Sequence, residues 1–161
     1  MGFKGIKLHL DYQNVFLLSK EVINLLIKAE ELELYTVFHA GLDMGMPKPP
    51  HAEPKDIKSA LSYVSGKYII AAHLGGFAMW DDVEKYLVGS DVKFDTSCLS
   101  KYISLKQFKR IVLNHGSDKI LFGTDMPWDS VKDTLSLLYN ADFSQSDVDN
   151  ILYKNALKIL N

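Results

Sequence analysis

The sequence predicts an α/β protein of about five parallel βα units, and three observations carry that expectation. Strand-like and helix-like patterns alternate five times at intervals of about 25 to 35 residues, the rhythm of a parallel sheet joined by right-handed crossovers. Three of the strand runs are almost wholly apolar, as strands buried on both faces are. Each leads to a residue able to ionise or bind metal: Tyr35 to His39, Tyr68 to His73, and Lys119 through Phe122 to Asp125. With 161 residues, 47% hydrophobic and 24% charged, the chain has the size and balance of one globular domain, residues 1–161, able to bury a core of its own.

In chain order, residues 3–9 alternate, with Phe3, Gly5 and Lys7 on one side and Lys4, Ile6 and Leu8 on the other, which is a strand pattern. Asp11-Tyr12-Gln13-Asn14 is a loop. Ser19 caps a helix to about Glu31 whose apolar face is Val22, Ile23, Leu25, Leu26 and Ala29. After the strand ending at His39, residues 41–54 hold Gly45, Pro47, Pro49, Pro50 and Pro54, too many breakers for regular structure, so this is the longest loop. Residues 55–65 read as a helix with Ile57, Ala60, Leu61 and Val64 on one face. The pattern repeats as strand 68–73, helix 78–88, strand 92–97 and helix 105–113, with Gly116 as a helix C-cap residue. Asp129 or Ser130 starts a helix to about Tyr139, and Ser144 or Ser146 caps a last one to Leu160.

Several function classes are excluded by composition. The formal charge of −2 comes from 18 basic and 20 acidic residues in mixed order, with no basic stripe, so no nucleic-acid partner is expected. No apolar run reaches membrane-spanning length and the amino terminus lacks the apolar core of a secretory signal, so a cytoplasmic protein without a membrane partner is expected. Cys98 is the one cysteine, which rules out an internal disulfide and a cysteine zinc cage; it reads as a small buried hydrophobe. Gly75-Gly76 lacks the spacing of a phosphate loop and reads as permitting close backbone approach. Ser97 lacks a nucleophile-elbow context, which sets aside a Ser97, His73, Asp125 triad.

The candidate site residues are those at the strand ends. His39, His73 and Asp125 all follow apolar strand residues and precede Gly or Pro segments, so they project into the same end of the sheet. Imidazole and carboxylate suit zinc, manganese, iron or nickel, and an open coordination position would acidify a water. His9 ends the first strand and lines the same rim, with Tyr12 placed to contact substrate. Lys7 reads as a snorkelling or substrate-contacting lysine, His51 as a solvated loop histidine and His115 as a helix-end capping residue.

Gly5-Ile6-Lys7-Leu8-His9, Phe38-His39-Ala40-Gly41, Ala72-His73-Leu74-Gly75-Gly76, Phe94-Asp95-Thr96-Ser97, Gly123-Thr124-Asp125-Met126-Pro127-Trp128 and Asn155-Ala156 together resemble the amidohydrolase superfamily, in its branch related to aminocarboxymuconate-semialdehyde decarboxylase. The resemblance covers essentially the whole chain. It implies a partial (β/α)8 TIM barrel corresponding to strands 4–8 plus a C-terminal helix. It also implies a metal-dependent hydrolase acting on a small organic substrate through a metal-activated water. The alternatives it carries are a metal-dependent decarboxylase (a lyase) of the same superfamily and a catalytically silent half-barrel. On this resemblance His39 is the strand-five metal ligand, Asp125 the strand-eight carboxylate that binds metal or moves a proton, and His73 the strand-six residue that orients water or polarises substrate. His9, Tyr12 and Trp128 are then substrate-binding, and the cofactor is a divalent metal, zinc foremost. The superfamily's first strand carries a His-x-His ligand pair, and this sequence contains none. An oligomer, or a complementing N-terminal half-barrel, is therefore the expected partner besides the substrate.

Overall fold

Leu8, Phe38, Ala71, Phe94 and Ile120 stand side by side across five parallel strands, and all are buried. The computed structural model describes residues 2–46 and 48–161. Its strands are β1 (Gly5–Leu8), β2 (Tyr35–Phe38), β3 (Ile69–Ala71), β4 (Lys93–Asp95) and β5 (Ile120–Leu121), in the sheet order β1-β2-β3-β4-β5. Each crossover therefore moves one strand in the same direction. Right-handed connections of that kind place the helices on one face, as in the wall of a barrel, whereas a doubly wound sheet reverses direction and covers both faces. The structure is a partial (β/α)8 barrel, as the sequence predicts.

The two faces follow from the period of two. Ile6, Leu8, Thr36, Phe38, Ile69, Ala71, Phe94 and Ile120 share the face that packs under the helices, where Phe108, Ile111 and Val112 complete the core. Lys7, Tyr35, Val37, Ile70, Lys93, Asp95 and Leu121 share the other.

Four of the helices begin where a serine accepts from the first turn. α1 (Lys20–Glu31), α4 (Leu105–His115), α5 (Val131–Asn140) and α6 (Gln145–Asp149) are capped by Ser19, Ser104, Ser130 and Ser144, with Oγ accepting from Val22, Gln107, Asp133 and Asp147 N–H respectively. Such a cap contributes about 1 kcal/mol. α2 (Pro54–Ala60) and α3 (Trp80–Tyr86) are shorter than the predicted 55–65 and 78–88. The predicted last helix is broken by a π segment, Asn150–Lys154, before α7 (Asn155–Leu160). That segment brings Ile151 O to accept from Phe122 N–H at 2.9 Å, and Asn155 Nδ2 donates to Ile120 O at 2.8 Å, so the terminal helix satisfies the free edge of β5. Among the described residues no helix is long and apolar enough to cross a membrane.

Four local expectations are corrected. His115 does not cap its helix: its ring turns inward, stacks on Phe94 at 4.0 Å, donates from Nε2 to Val92 O at 2.8 Å and accepts from Gly89 N–H at 3.2 Å. His51 is half-buried rather than solvated, because its ring lies on Phe16 at 4.0 Å and its Nδ1 is 3.0 Å from Leu10 O. Gly75 and Gly76 do permit close approach, yet to side chains, since a Cβ there would lie 2.8 Å from the Phe94 ring and 2.9 Å from Pro54 Cγ. Cys98 is half-buried rather than buried, because it stands at the open rim.

Burial pushes the His115 pKa down to about 4. The unfolded ring takes its proton near 6.5, so between these values the unfolded chain binds more protons and stability falls as pH drops, by up to about 3 kcal/mol from this ring. His115→Gln, which keeps one acceptor and one donor, is expected to flatten that share of the loss. Urea midpoints at pH 7.5 and 4.5 measure it; equal pH sensitivity of the two proteins would contradict the assignment.

Candidate functional site

His9 and His39 each lie two residues beyond an inward strand position, Lys7 and Val37, and keep that side of the sheet. Alternation would send His73 to the helix side with Ile69 and Ala71. Instead its backbone turns left-handed, φ 60°, followed by Leu74 at 56°, and its ring meets His39. Cys98 and Asp125, beyond β4 and β5, are left-handed too, at 56° and 57°. A non-glycine residue there costs on the order of 1 kcal/mol, and strand-end hydrogen bonds offset it. His73 N–H donates to Asp95 Oδ1 at 2.9 Å, Leu74 N–H to Asp95 O at 2.8 Å and Trp80 Nε1–H to His73 O at 3.1 Å.

The loop after β2 is steered by Gly41. Its φ is 83°, and a Cβ would sit 2.3 Å from Phe77 N, so only glycine passes here. Leu42 N–H then bonds Phe77 O at 2.9 Å, and the next residue, Asp43, comes back over the first strand end. Asp43 Oδ2 is 3.3 Å from His9 Nε2.

The side chains form one connected chain. His9 stacks on His39 with centroids 4.6 Å apart and planes 13° from parallel. His39 Nδ1 is 2.9 Å from His73 Nε2, and His73 Nδ1 is 3.1 Å from Ser97 O and 3.0 Å from Ser97 Oγ. Ser97 donates from Oγ and from its N–H to Asp95 Oδ1. Burial, reinforced by the His73 and His9 rings, drives the His39 pKa down to about 4. Burial also lowers that of His9, although Asp43 and Asp11 oppose it. Both rings are neutral near pH 7 and can offer a lone pair.

Of the residues singled out from the sequence, the structure brings together His9, His39 and His73, with Tyr12 tilted against His9 at 4.1 Å. Asp125 and Trp128 lie exposed on the loop after β5, and Asp125 makes no side-chain hydrogen bond or ion pair among the described residues. Its neighbour is Cys98, whose thiol pKa is raised by burial and further by the Asp125 charge. Donor atoms of His9, His39 and Asp43 all lie within 4.8 Å of one another, and Asp125 is not in that group. Two acidic residues of this site were not singled out. Asp95 ends β4, but in the sequence it lies inside the strand pattern 92–97 and is followed by Thr96-Ser97 rather than by Gly or Pro, so the strand-end rule passes over it; Asp43 sits in an aperiodic loop, where no pattern marks it.

Nitrogen and carboxylate donors at this spacing fit a divalent metal. A family model described as Amidohydrolase matches residues 1–161. No curated protein sequence matches significantly. Solved structures similar to this chain include an amidohydrolase from Burkholderia multivorans with bound zinc, 11% identical over 97% of this chain and 63% of that one, TM-score 0.69. A dihydroxybenzoic acid decarboxylase from Polaromonas sp. JS666, with bound manganese and the inhibitor 2-nitroresorcinol, is 16% identical over 89% and 55%, TM-score 0.59. Amidohydrolase 2 from Bifidobacterium longum subsp. infantis is 15% identical over 88% and 55%, TM-score 0.57. The chain spans 55–63% of the length of these structures.

Asp95→Ala removes one acceptor shared by three donors. The expected cost is about 2–4 kcal/mol in chemical unfolding, and about half that for Asp95→Asn, which keeps one oxygen. A loss below about 1 kcal/mol in the alanine variant would show that Asp95 does not hold the rim.

Proposed function

The chain belongs to the amidohydrolase family, and on that premise we propose that it contributes the site of a metal-dependent hydrolase acting on a small organic substrate. The observation that carries this reading is the relay from half-buried Asp95 through buried Ser97 and His73 to His39, which ends on a neutral imidazole at the carboxyl rim of the sheet. His39 would hold the metal, zinc foremost, and Asp125 either shares it or moves protons beside it. The metal supplies Lewis acidity, polarising a substrate oxygen and acidifying water. His73 keeps its ring fixed against His39 and so orients the imidazole that would hold the metal. Tyr12 and Trp128, 68% and 69% exposed, offer flat apolar surfaces to a substrate arriving at the rim beside His9. A single cysteine fits a reducing cytoplasm.

A second reading, decarboxylation, is favoured by one observation: a structural neighbour is a dihydroxybenzoic acid decarboxylase with bound manganese. Assays with small esters, lactones and amides on one side, and CO2 release from hydroxybenzoates on the other, separate the two. His73→Gln is expected to lower kcat about 100-fold or more with little change in KM. Metal analysis of protein purified without chelator should show His39→Ala losing the metal that the parent holds. Full retention in that variant would remove His39 from the site, and a metal-free, inactive parent would support a silent half-barrel.

The face away from the helices leaves Tyr35, Val37, Tyr68 and Leu121 half-buried, with Lys93 Nζ 5.3 Å over the Tyr35 ring. We propose that a complementing βα segment, supplying the rest of a barrel, covers it, since the structural neighbours are longer than this chain. The 161-residue chain alone is expected to self-associate or to bind an apolar dye such as ANS. A monomer that binds none would remove this partner.

A further inference from the structure

The relay behind His39 dictates where its lone pair points. Asp95 accepts from Ser97 Oγ, so the hydroxyl proton lies on that bond. Ser97 O, 3.1 Å from His73 Nδ1, can only accept, so Nδ1 carries the His73 proton. His73 then accepts at Nε2, and His39 donates to it from Nδ1. What remains on His39 is an unprotonated Nε2, and it faces another acceptor, Leu42 O, at 3.2 Å. Two lone pairs confront each other there. The opposite tautomers satisfy Leu42 but create two conflicts. His73 Nδ1 then faces Ser97 O, and one hydroxyl proton must serve both Asp95 and His73. The arrangement with one conflict is preferred, and a cation at Nε2 resolves it.

Two further donors lie beside the His39 ring. His9 Nε2 and Asp43 Oδ2 are 3.3 Å apart, and ligands bonded at 2.0–2.2 Å in a tetrahedron stand about 3.4 Å from one another. Each of the three residues offers a donor atom within 4.8 Å of the others, and since the His9 and His39 rings are stacked 13° from parallel, the rings have to turn toward one another for their in-plane lone pairs to meet at one cation. The His9 and Asp43 side chains are 26% and 17% exposed, so water can reach the remaining positions. Asp11, two residues past His9 and only 4% exposed, holds a carboxyl oxygen, Oδ2, with no hydrogen-bond partner among the described residues, a further acceptor in the neighbourhood of the rim.

We propose that His9, His39 and Asp43 form a divalent-cation site of the two-histidine, one-carboxylate type, with Leu42 O as an adjacent oxygen donor. The site rests on the functional reading above for His39 and assigns its co-ligands, which come from the first two βα loops. Asp125 is then free for proton transfer.

Titration of Co²⁺ into the metal-free 161-residue chain, followed by calorimetry and visible absorption, tests this. One equivalent should bind, and Asp43→Asn and His9→Gln should each weaken binding at least ten-fold and alter the Co²⁺ absorption band. Asp142→Asn, at an exposed carboxylate elsewhere, should do neither. Thermal unfolding without metal identifies any variant that fails to fold, and either folded variant suffices. A folded Asp43 or His9 variant that binds Co²⁺ like the parent overturns the proposal. If His39→Ala loses Co²⁺ in that same series, the functional reading survives without these co-ligands. If His39→Ala also binds normally, or the parent takes up no Co²⁺, both fall.

Discussion

The constraint on which this structure depends is directional: each βα unit steps to the next strand on the same side. From it follow the parallel register, the gathering of helices on one face and the convergence of every strand end on one rim. Leu8, Phe38, Ala71, Phe94 and Ile120 hold that register by packing into one apolar layer. Residues two positions beyond the inward strand sites, His9 and His39, then share a side without any contact of their own having to bring them there.

The rim is built from departures from strand geometry. His73 reaches His39 only because its backbone leaves the strand in the left-handed region, and Asp95 bonds both the His73 amide and Ser97 to keep it there. Gly41 performs the corresponding turn after β2, at a place where a side chain would strike the Phe77 backbone. The left-handed turn at His73 thus carries a conformational cost at the rim, and hydrogen bonds to Asp95 at the end of the neighbouring strand offset it.

Burial sets the protonation of the histidines. His39 and His115 have similar desolvation, and both are held neutral near pH 7, yet their surroundings differ in kind. The His115 ring has a donor and an acceptor matched to Val92 O and Gly89 N–H, so its hydrogen bonding is complete. His39 sits at the end of a relay whose proton order leaves one nitrogen without a donor to face. The same degree of burial yields a structural ring in one case and a ligand-like ring in the other.

Much of the fold was legible in the sequence because periodicity reports burial directly: apolar runs marked the strands, serine caps marked helix starts, and the strand-end rule marked His9, His39, His73 and Asp125. Asp95 escaped that rule, because the strand pattern runs on through Thr96 and Ser97 and no Gly or Pro marks the strand end. The inward turns of His51 and His115, the π segment and the return of Asp43 over His9 were not legible, since each arises from contacts between residues more than 20 apart. The sequence by itself determined the βα order and which side chains arrive at the rim, because local hydrophobic pattern and chain connectivity suffice for both. Only the tertiary structure decided which of them meet, because a left-handed turn at His73 and a glycine turn at Gly41 aim side chains in directions that no periodicity encodes.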